Sequence, residues 1–238
     1  MKYRRTAIIL SGGVGNRMEG NLRTPKQYMA VAGRPVIEHT LLRIREWRGM
    51  DSIIIVAEEK WQDYLEPLIN EIFSGRSISF LGFSFPGNNR QLSILNALRD
   101  IKEDMSEDAV VMVHDAVRPR VSEELLARCD AAIGKGDGVM PYLHIKDTVY
   151  ISEDGDYISE NISRDRLYAG QTPEFYNFWK YLDANEALSH EEILSVKGSS
   201  EPAVMRGMRI TLVQGDEANF KITTKEDMEY FRRIKEGR

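Results

Sequence analysis

The chain has 238 residues, of which 42% are hydrophobic and 29% are charged, and its net charge is −5. This length allows one large domain or two small ones with a full hydrophobic core, and the acidic balance disfavours nucleic acids and membrane surfaces as general partners. A single cysteine, Cys129, excludes an internal disulfide and a cysteine-based zinc site, and no apolar run reaches the length of a membrane span, so we expect a cytoplasmic protein.

Short apolar runs and helical patterns alternate along the first 140 residues. The apolar runs predict strands buried on both faces, over 6–10, 52–56, 77–83, 109–114 and 138–142. Apolar residues three and four apart predict helices between them, over 35–47, 60–73, 90–101 and 122–133. This alternation predicts an α/β fold, a mainly parallel, Rossmann-like sheet with helices on both faces.

The pattern changes near residue 143. A polar segment over about 143–168 predicts a projecting β-arm that turns near 153–156. A helix is then predicted over 172–188, a strand over 209–215, and a last helix that Thr224 caps. We therefore predict a single domain over 1–238 with one inserted arm.

The first predicted strand runs into the glycine-rich sequence SGGVGNRM, at residues 11–18. Glycines let backbone N–H groups approach an anion closely, and ligands of open α/β sheets bind beyond the carboxyl ends of the strands. Arg17 and Lys26 add positive charge, so we expect this loop to hold a phosphate chain. The alternative is a tight turn with two solvated cations.

Two common phosphate-binding motifs do not fit this loop. A Walker A loop ends in Gly-Lys-Ser/Thr, but Gly20 is followed by Asn21. The dinucleotide fingerprint G-x-G-x-x-G fails because Met18 stands at the third glycine. The loop therefore indicates a different kind of nucleotide or phosphate site.

Three later segments carry further candidate residues. Asp115 and Arg118 follow a buried strand. There Asp115 could contact a hydroxyl or a metal and Arg118 could face a phosphate, or the two residues could form a local ion pair. The sequence PGNNRQLS, at 86–93, places polar residues at a helix N-terminus. Helix N-termini attract polar ligands; the alternative is that this segment is only a turn and an N-cap. Lys221, between Phe220 and Ile222, could point into a cleft or lie exposed.

These segments in their order resemble the polyol-phosphate cytidylyltransferases, a family with a methylerythritol-phosphate branch and a ribitol-phosphate branch. The likeness spans nearly the whole chain. It is carried by SGGVGNRM, PKQY, GNNRQLSI, VHDAVRP, KDT, RDRLYAGQTP and NFKITT. The branches belong to isoprenoid biosynthesis and to teichoic acid or polysaccharide precursors.

The resemblance implies roles for individual residues. The CTP triphosphate would be bound by the backbone of Ser11, Gly12, Gly13 and Gly15 with Arg17 and Lys26, and Lys221 would sit at the α-phosphate. The cytosine would be read by Gly87, Asn88 and Ser93, with Arg90 holding their loop.

The acceptor and the assembly are implied in the same way. Asp115 and Arg118 would lie at the polyol, and the polyol phosphate would be bound by Thr148, Arg164 and Thr172. The arm would cross to a second subunit, which makes a homodimer. Magnesium is the expected cofactor, with Asp115 as its candidate protein ligand.

One segment departs from the family pattern. The family has an acidic stretch before its last strand, whereas this chain has GSSEPAV at 198–204, with Glu201 as its one acid. The acceptor therefore stays open between the two branches. A hexose-phosphate nucleotidyltransferase using another nucleotide and a non-catalytic nucleotide-binding protein also stay open, and Met18 disfavours an NAD-binding domain.

Overall fold

The computed structural model describes residues 2–13 and 24–237. The strands are β1 (Tyr3–Leu10), β2 (Ala30–Val31), β3 (Arg34–Pro35), β4 (Ser52–Val56), β5 (Ser79–Ser84), β6 (Met105–Asp115), β7 (Gly138–His144), β8 (Val149–Ile151), β9 (Glu160–Ile162), β10 (Tyr168–Gly170), β11 (Glu174–Asn177) and β12 (Ile210–Gln214). The α-helices are α1 (Val36–Glu46), α2 (Glu59–Phe73), α3 (Arg90–Ile101), α4 (Glu123–Ala132), α5 (Phe178–Glu186), α6 (His190–Ser195), α7 (Glu201–Met205) and α8 (Lys225–Glu236).

A mainly parallel sheet forms the centre of the fold, as the alternation of strands and helices predicts. Its strand order is β10-β7-β11-β6-β1-β4-β5, and β12 pairs with β7. Strands β6, β1, β4 and β5 are parallel neighbours, whereas β11 runs antiparallel to both β6 and β7. Because Leu10 is in register with both Val56 and Asp115, the carboxyl ends of β1, β4 and β6 lie side by side.

The two faces of this sheet bury separate hydrophobic clusters. Ile9 of β1 faces the cluster that α1, α2 and α4 cover, whereas its neighbour Ile8 faces the cluster that α3 and α5 cover. The same alternation runs along β4, whose five residues are all buried. A strand buried on both faces must be apolar throughout, which explains why these strands read as unbroken apolar runs.

The last helix, α8, packs beside the carboxyl edge of the sheet. Its Met228 and Phe231 share a third cluster with Val31, Val117 and Ile222. Thr224 caps the helix as predicted, because its hydroxyl accepts from the Asp227 N–H while the Asp227 carboxylate accepts from the Thr224 N–H. This packing fixes the segment before α8, which carries Lys221, against the edge of the sheet.

The prediction of one helix over 172–188 is wrong in its first part. Residues Glu174–Asn177 form β11 between β6 and β7, and the helix α5 begins only at Phe178. Phe175 and Tyr176 are fully buried on opposite faces of the sheet. The spacing of these aromatic residues is compatible with the period of a helix and with that of a strand. Pairing with β6 and β7 stabilises the strand.

The predicted arm is an antiparallel pair, β8 and β9, in which Val149 is in register with Ile162. It extends from the pairing of β7 with β10, in which His144 is opposite Tyr168. At its turn, Gly155 has a φ of +85°, a conformation that favours glycine. Tyr157 is 78% exposed at the tip, so the arm leaves a large aromatic side chain in solvent.

Within the described ranges, no α-helix combines the length and the apolar character that crossing a bilayer requires.

Candidate active site

A cleft of about 620 Å³ opens at the carboxyl edge of the parallel strands. Strands β1, β4, β5 and β6 each contribute residues at or just beyond their carboxyl ends, where ligands of open α/β sheets bind. The described residues that line it are Leu10, Gly12, Gly13, Lys26, Gln27, Val56, Glu58, Pro86, Gly87, Asn88, Asn89, Arg90, Ser93, Asp115, Val117 and Lys221. Of the predicted nucleotide-site residues, the structure thus gathers Gly12, Gly13, Lys26, Gly87, Asn88, Arg90, Ser93 and Lys221 in one place.

The start of the glycine-rich loop is held tightly against its surroundings. Ser11 donates its N–H to the Val56 carbonyl at 3.0 Å and its hydroxyl to the Tyr28 hydroxyl at 2.8 Å, so both donors of Ser11 are engaged inside the protein. At Gly12 a Cβ atom would lie 2.5 Å from Cβ of Pro86, which explains the need for glycine there. Predicted residues Gly15 and Arg17 lie outside the described residues.

The loop at 86–89 is stabilised by the start of α3. Asn89 is the N-cap of α3, because its side-chain oxygen accepts from the Leu92 N–H at 2.8 Å. The Gly87 N–H donates to the Ser93 hydroxyl at 3.0 Å, and that hydroxyl donates to the Asn89 carbonyl at 2.9 Å. The sequence left open whether this segment binds a ligand or only caps the helix. The N-cap is present, and the same segment also lines the cleft. Asn88 is exposed within it.

The centre of the site is Asp115, the last residue of β6. One carboxylate oxygen lies 3.3 Å from Nη2 of Arg90, and the other lies 3.4 Å from Nε of Arg118 and 3.1 Å from Nζ of Lys221. These cations come from α3, from the loop after β6 and from the segment before α8. The buried carboxylate of Asp115 thus joins the end of β6 to two distant parts of the chain, the start of α3 and the segment before α8.

The charge state of Asp115 follows from these neighbours. Burial alone would raise the pKa of its carboxyl, but Arg90, Lys221 and Arg118 outweigh burial and hold the pKa well below its usual range. Asp115 is therefore ionised at neutral pH, and its negative charge keeps the three cations close together despite their mutual repulsion.

Arg118 and Thr172, predicted near the polyol and its phosphate, are both buried. Besides Asp115, Arg118 donates from Nη1 to the Asn219 carbonyl at 2.7 Å. The Thr172 hydroxyl accepts from the Asp115 N–H at 3.3 Å and lies 3.1 Å from Nδ1 of His114. In this arrangement both residues support Asp115, and neither is among the cleft-lining residues given above.

The segment that carries Lys221 is tied to the strand region beside Thr172. Asn219 is fully buried, and its side-chain N–H₂ donates to the Thr172 carbonyl at 2.7 Å. Gln171 exchanges hydrogen bonds with the backbone of Asp216, at 2.9 Å and 3.1 Å. These contacts fix the backbone two residues before Lys221, so the ammonium group reaches Asp115 from an anchored segment.

Thr148 and Arg164 lie on the arm and are exposed. Arg164 donates to the Lys146 carbonyl, also on the arm. Neither side chain is among the residues that line the cleft of the same chain. Their predicted role in binding the polyol phosphate of a second subunit stays a prediction.

Asp115 does not fit the predicted role of magnesium ligand in this arrangement. Magnesium is bound by oxygen atoms at short range and repelled by nearby cations, and both oxygens of Asp115 already face cationic groups. Throughout the described ranges, no three His, Cys, Asp or Glu side chains are close enough together to hold a metal ion.

Sequence reasoning missed several residues of the site. Gln27 and Glu58 line the cleft, and both had a signal, since Gln27 adjoins Lys26 and Glu58 follows the carboxyl end of β4. Glu174 is buried near the site and receives hydrogen bonds from Tyr176, at 2.7 Å, and from Ser199. Burial raises the pKa of Glu174, against the effect of Arg90 and these hydroxyl groups.

The segment at 198–204, which departs from the family pattern, forms a turn and most of α7. The Glu201 carboxylate accepts from the N–H groups of Lys197 and Gly198, at 3.1 Å and 2.9 Å. The Ser199 carbonyl accepts from the Tyr181 hydroxyl at 2.7 Å. The one acid of this segment therefore stabilises a turn, and the segment's link to the site passes through Ser199 and Glu174.

Comparisons with known proteins agree with the resemblance. The sequence model of the family described as IspD, 2-C-methyl-D-erythritol 4-phosphate cytidylyltransferase, matches residues 6–234. A ribitol-5-phosphate cytidylyltransferase of Streptococcus agalactiae serotype III is 29% identical over 231 residues, which are 97% of this chain and 95% of that protein.

A longer relative and a solved structure are also similar. The bifunctional enzyme IspD/IspF of Agrobacterium fabrum is 33% identical over 224 residues, 93% of this chain but only 54% of that protein. The crystal structure of 4-diphosphocytidyl-2C-methyl-D-erythritol synthase from Anaerococcus prevotii superposes with a TM-score of 0.78 at 26% identity, and the match covers 98% of this chain and 99% of that one.

Proposed function

Since the chain belongs to the 2-C-methyl-D-erythritol 4-phosphate cytidylyltransferase family, and so is a cytidylyltransferase acting on a polyol phosphate, we propose that it transfers CMP from CTP to a polyol phosphate and releases pyrophosphate. The observation that carries this proposal is the convergence of Arg90, Arg118 and Lys221 on Asp115, beside a glycine loop at the carboxyl edge of the sheet.

The reaction needs little acid–base chemistry from the protein. A phosphate oxygen of the acceptor attacks the α-phosphorus of CTP, a new P–O bond forms, and the bond to the β-phosphate oxygen breaks as pyrophosphate leaves. The attacking oxygen is ionised at neutral pH, so no general base is required. The difficulty is the repulsion between two anions, which positioned cations reduce.

Positive charge in the cleft supports this mechanism. Lys26, Arg90 and Lys221 line it, against the acids Glu58 and Asp115. In the proposed arrangement Lys26, with Arg17, faces the triphosphate, and Lys221 neutralises charge developing on the α-phosphate. Asp115 keeps Lys221 and Arg90 in place, which fixes their ammonium and guanidinium groups before substrates bind.

The loop at 86–93 is proposed to bind the cytosine. Its backbone is held by the Asn89 cap and by the Gly87–Ser93 hydrogen bond, so it offers a rigid edge for a flat base. Asn88 is exposed on this loop and has both a donor and an acceptor. These are the groups needed to read an amide-like base edge.

We propose that magnesium arrives with CTP as part of the nucleotide complex. Magnesium usually takes phosphate oxygens and waters with one or two carboxylates, and the carboxylate of Asp115 is occupied by cations. The ion would add positive charge to the triphosphate, and this chain's own residues would orient that complex.

For the acceptor, ribitol 5-phosphate is our first candidate, because relatives carrying that name match over nearly their whole length. 2-C-methyl-D-erythritol 4-phosphate is the second, because the family description and the Anaerococcus prevotii structure name that chemistry. Both acceptors present a phosphate and several hydroxyl groups to the cleft.

The test is a pyrophosphate-release screen of the purified protein with Mg²⁺. Each of CTP, UTP, dTTP and ATP is paired with ribitol 5-phosphate, 2-C-methyl-D-erythritol 4-phosphate and hexose 1-phosphates. We expect release only with CTP and a polyol phosphate. Release with a hexose phosphate and UTP or dTTP would contradict the proposal, and binding of CTP without release from any pair would favour a non-catalytic protein.

A further inference from the structure

Gln27 has its side chain inserted beside the glycine-rich loop. It lies in the short 3₁₀ turn Lys26–Tyr28 directly after Lys26, and it is 3% exposed. Its amide nitrogen is 2.6 Å from the Ser11 carbonyl and 2.8 Å from the Gly13 carbonyl. Both partners can only accept, so the side chain must present its two N–H groups to them.

Tyr28 adds a further donor at the same loop. Its hydroxyl lies 3.1 Å from the Ser11 carbonyl and accepts from the Ser11 hydroxyl at 2.8 Å. Its ring stacks on Trp61, with 4.3 Å between the ring centres, and is buried. Burial raises the pKa of Tyr28 to about 12, so the phenol keeps its proton and remains a donor at neutral pH.

These contacts set the direction of a peptide group in the loop. In a trans peptide the C=O and the following N–H point in opposite directions in one plane. Because the Ser11 carbonyl is turned toward Gln27 and Tyr28, the N–H of Gly12 is turned away from them. Gly12 itself lines the cleft, so its N–H, turned away from Gln27 and Tyr28, is the donor that we expect a ligand in the cleft to meet.

We infer that Gln27 is a positioning residue for the triphosphate. Its amide holds the carbonyl oxygens of Ser11 and Gly13, which would otherwise repel an anion, and so leaves the Gly12 N–H to meet the phosphates. Tyr28 supports the same carbonyl of Ser11. This inference deepens the proposed function and rests on it, because it assumes that the triphosphate binds at this loop.

The test compares Gln27→Leu and Tyr28→Phe with the wild type. Leucine is close in size to glutamine and uncharged, but it has no N–H group to donate to the two carbonyls. Phenylalanine keeps the stacking on Trp61 and removes only the hydroxyl. Gln62→Leu is the matched control, since Gln62 also donates to a carbonyl, that of Ala57 at 3.3 Å, outside this loop.

Calorimetry would measure the Kd of inorganic pyrophosphate and, separately, of ribitol 5-phosphate or 2-C-methyl-D-erythritol 4-phosphate. We expect Gln27→Leu to weaken pyrophosphate binding by on the order of tenfold or more and Tyr28→Phe to weaken it by a smaller factor, from the usual worth of a hydrogen bond. Binding of the polyol phosphate, and both measurements on the control, should match the wild type.

Two results would overturn the inference and leave the proposed function standing. One is a Gln27→Leu protein that binds pyrophosphate as tightly as the wild type does. The other is an equal loss for both ligands, which indicates general damage to the site. A wild-type protein that binds neither CTP nor pyrophosphate would instead contradict the proposed function, and the positioning role with it.

Discussion

Among single residues, Asp115 has the largest influence on the cleft. It is buried, ionised and in contact with one lysine and two arginines. In the proposed reaction the cations act on phosphates, so this carboxylate acts through them. Its negative charge also offsets part of the positive charge in the cleft. Removing this carboxylate would leave the three cations without their compensating charge inside the protein.

The two lysines of the cleft are the residues for which we expect the largest loss of rate. Lys26→Ala and Lys221→Ala should each lower kcat by on the order of a hundredfold or more, the usual effect of removing one transition-state charge contact. Steady-state pyrophosphate release measures this. Lys225→Ala is the control, because Lys225 lies at the start of α8 outside the cleft. Near-native rates in both lysine variants would refute their assignment.

His114, beside Asp115, should make the stability of the protein depend on pH. The side chain is fully buried, and burial lowers its pKa from 6.5 to about 3, although Asp115 opposes this shift. Between these values the unfolded chain binds a proton that the folded chain does not. The free energy of unfolding should therefore fall as the pH falls through this range, by up to about 1.4 kcal/mol per pH unit.

Urea unfolding of the wild type and of His114→Asn at pH 7, 6 and 5 tests this expectation. The free energy of unfolding of the variant should fall less steeply toward pH 5 than that of the wild type. His190→Asn, at an exposed position, should keep the wild-type slope. Equal slopes for the wild type and His114→Asn would show that His114 does not couple folding to protons in this range.

At the scale of elements, the cleft depends on two loops that touch each other. The glycine-rich loop approaches the loop at 86–89 at Gly12, where a Cβ atom would lie 2.5 Å from Cβ of Pro86. Within the second loop, a Cβ atom on Gly87 would lie 2.3 Å from Cβ of Leu92. Both glycines are therefore needed for close packing of backbone, in addition to any contact with a ligand.

Gly87→Ala should displace the loop from α3 and break the hydrogen bond from the Gly87 N–H to Ser93. We expect KM for CTP to rise by on the order of tenfold, since overpacking costs about 1–3 kcal/mol. Gly134→Ala is a matched control, because a Cβ atom there would meet no heavy atom within 4 Å. An unchanged KM in Gly87→Ala would exclude this loop from nucleotide binding.

Sequence patterns predict the elements of this fold well where the spacing of apolar residues fits only a helix or only a strand. The strand over 52–56 and the helix over 90–101 have the predicted bounds, because an apolar run and an amphipathic helix with an Asn cap are distinct patterns. The prediction of a helix from residue 172 is wrong because Phe175 and Tyr176 are compatible with the spacing of a helix and with that of a strand. Their strand forms only through pairing with β6 and β7, which are distant in the sequence.

The site is less predictable than the fold, for a physical reason. Because the carboxyl ends of parallel strands meet at one edge of a sheet, the sequence alone predicts that Gly12, Asp115 and the loop at 86–89 lie together. No local pattern reveals that Arg90 and Lys221 reach the same carboxylate, or that Gln27 turns onto the carbonyls of Ser11 and Gly13. Such contacts depend on side-chain directions that only the packed structure defines.

For the whole molecule, the arm is the element that we propose completes a site on a second subunit. Thr148 and Arg164 are exposed on the arm, and so are large apolar residues, Tyr150, Tyr157 and Ile158. Exposed apolar residues on a projecting element favour contact with another protein surface. We propose a homodimer in which Arg164 binds the acceptor phosphate of its partner's site.

A mixing experiment tests this arrangement. Arg164→Ala should weaken binding of the polyol phosphate and leave CTP binding intact, as calorimetry would measure. When Arg164→Ala and Lys221→Ala chains are mixed after denaturation and refolding, a shared site predicts recovery of up to about a quarter of wild-type activity, because half of the dimers would have one intact site. If Arg164 acts within its own chain, the mixture stays as inactive as its components.

The meeting of residues 90, 118 and 221 at one carboxylate also has a consequence for biosynthesis. Lys221 is synthesised long after Asp115, so for a time the growing polypeptide has the carboxylate without the ammonium group opposite it. In the proposed reaction a half-made chain would thus be unable to consume nucleotide until the segment that carries Lys221 has been made and has docked.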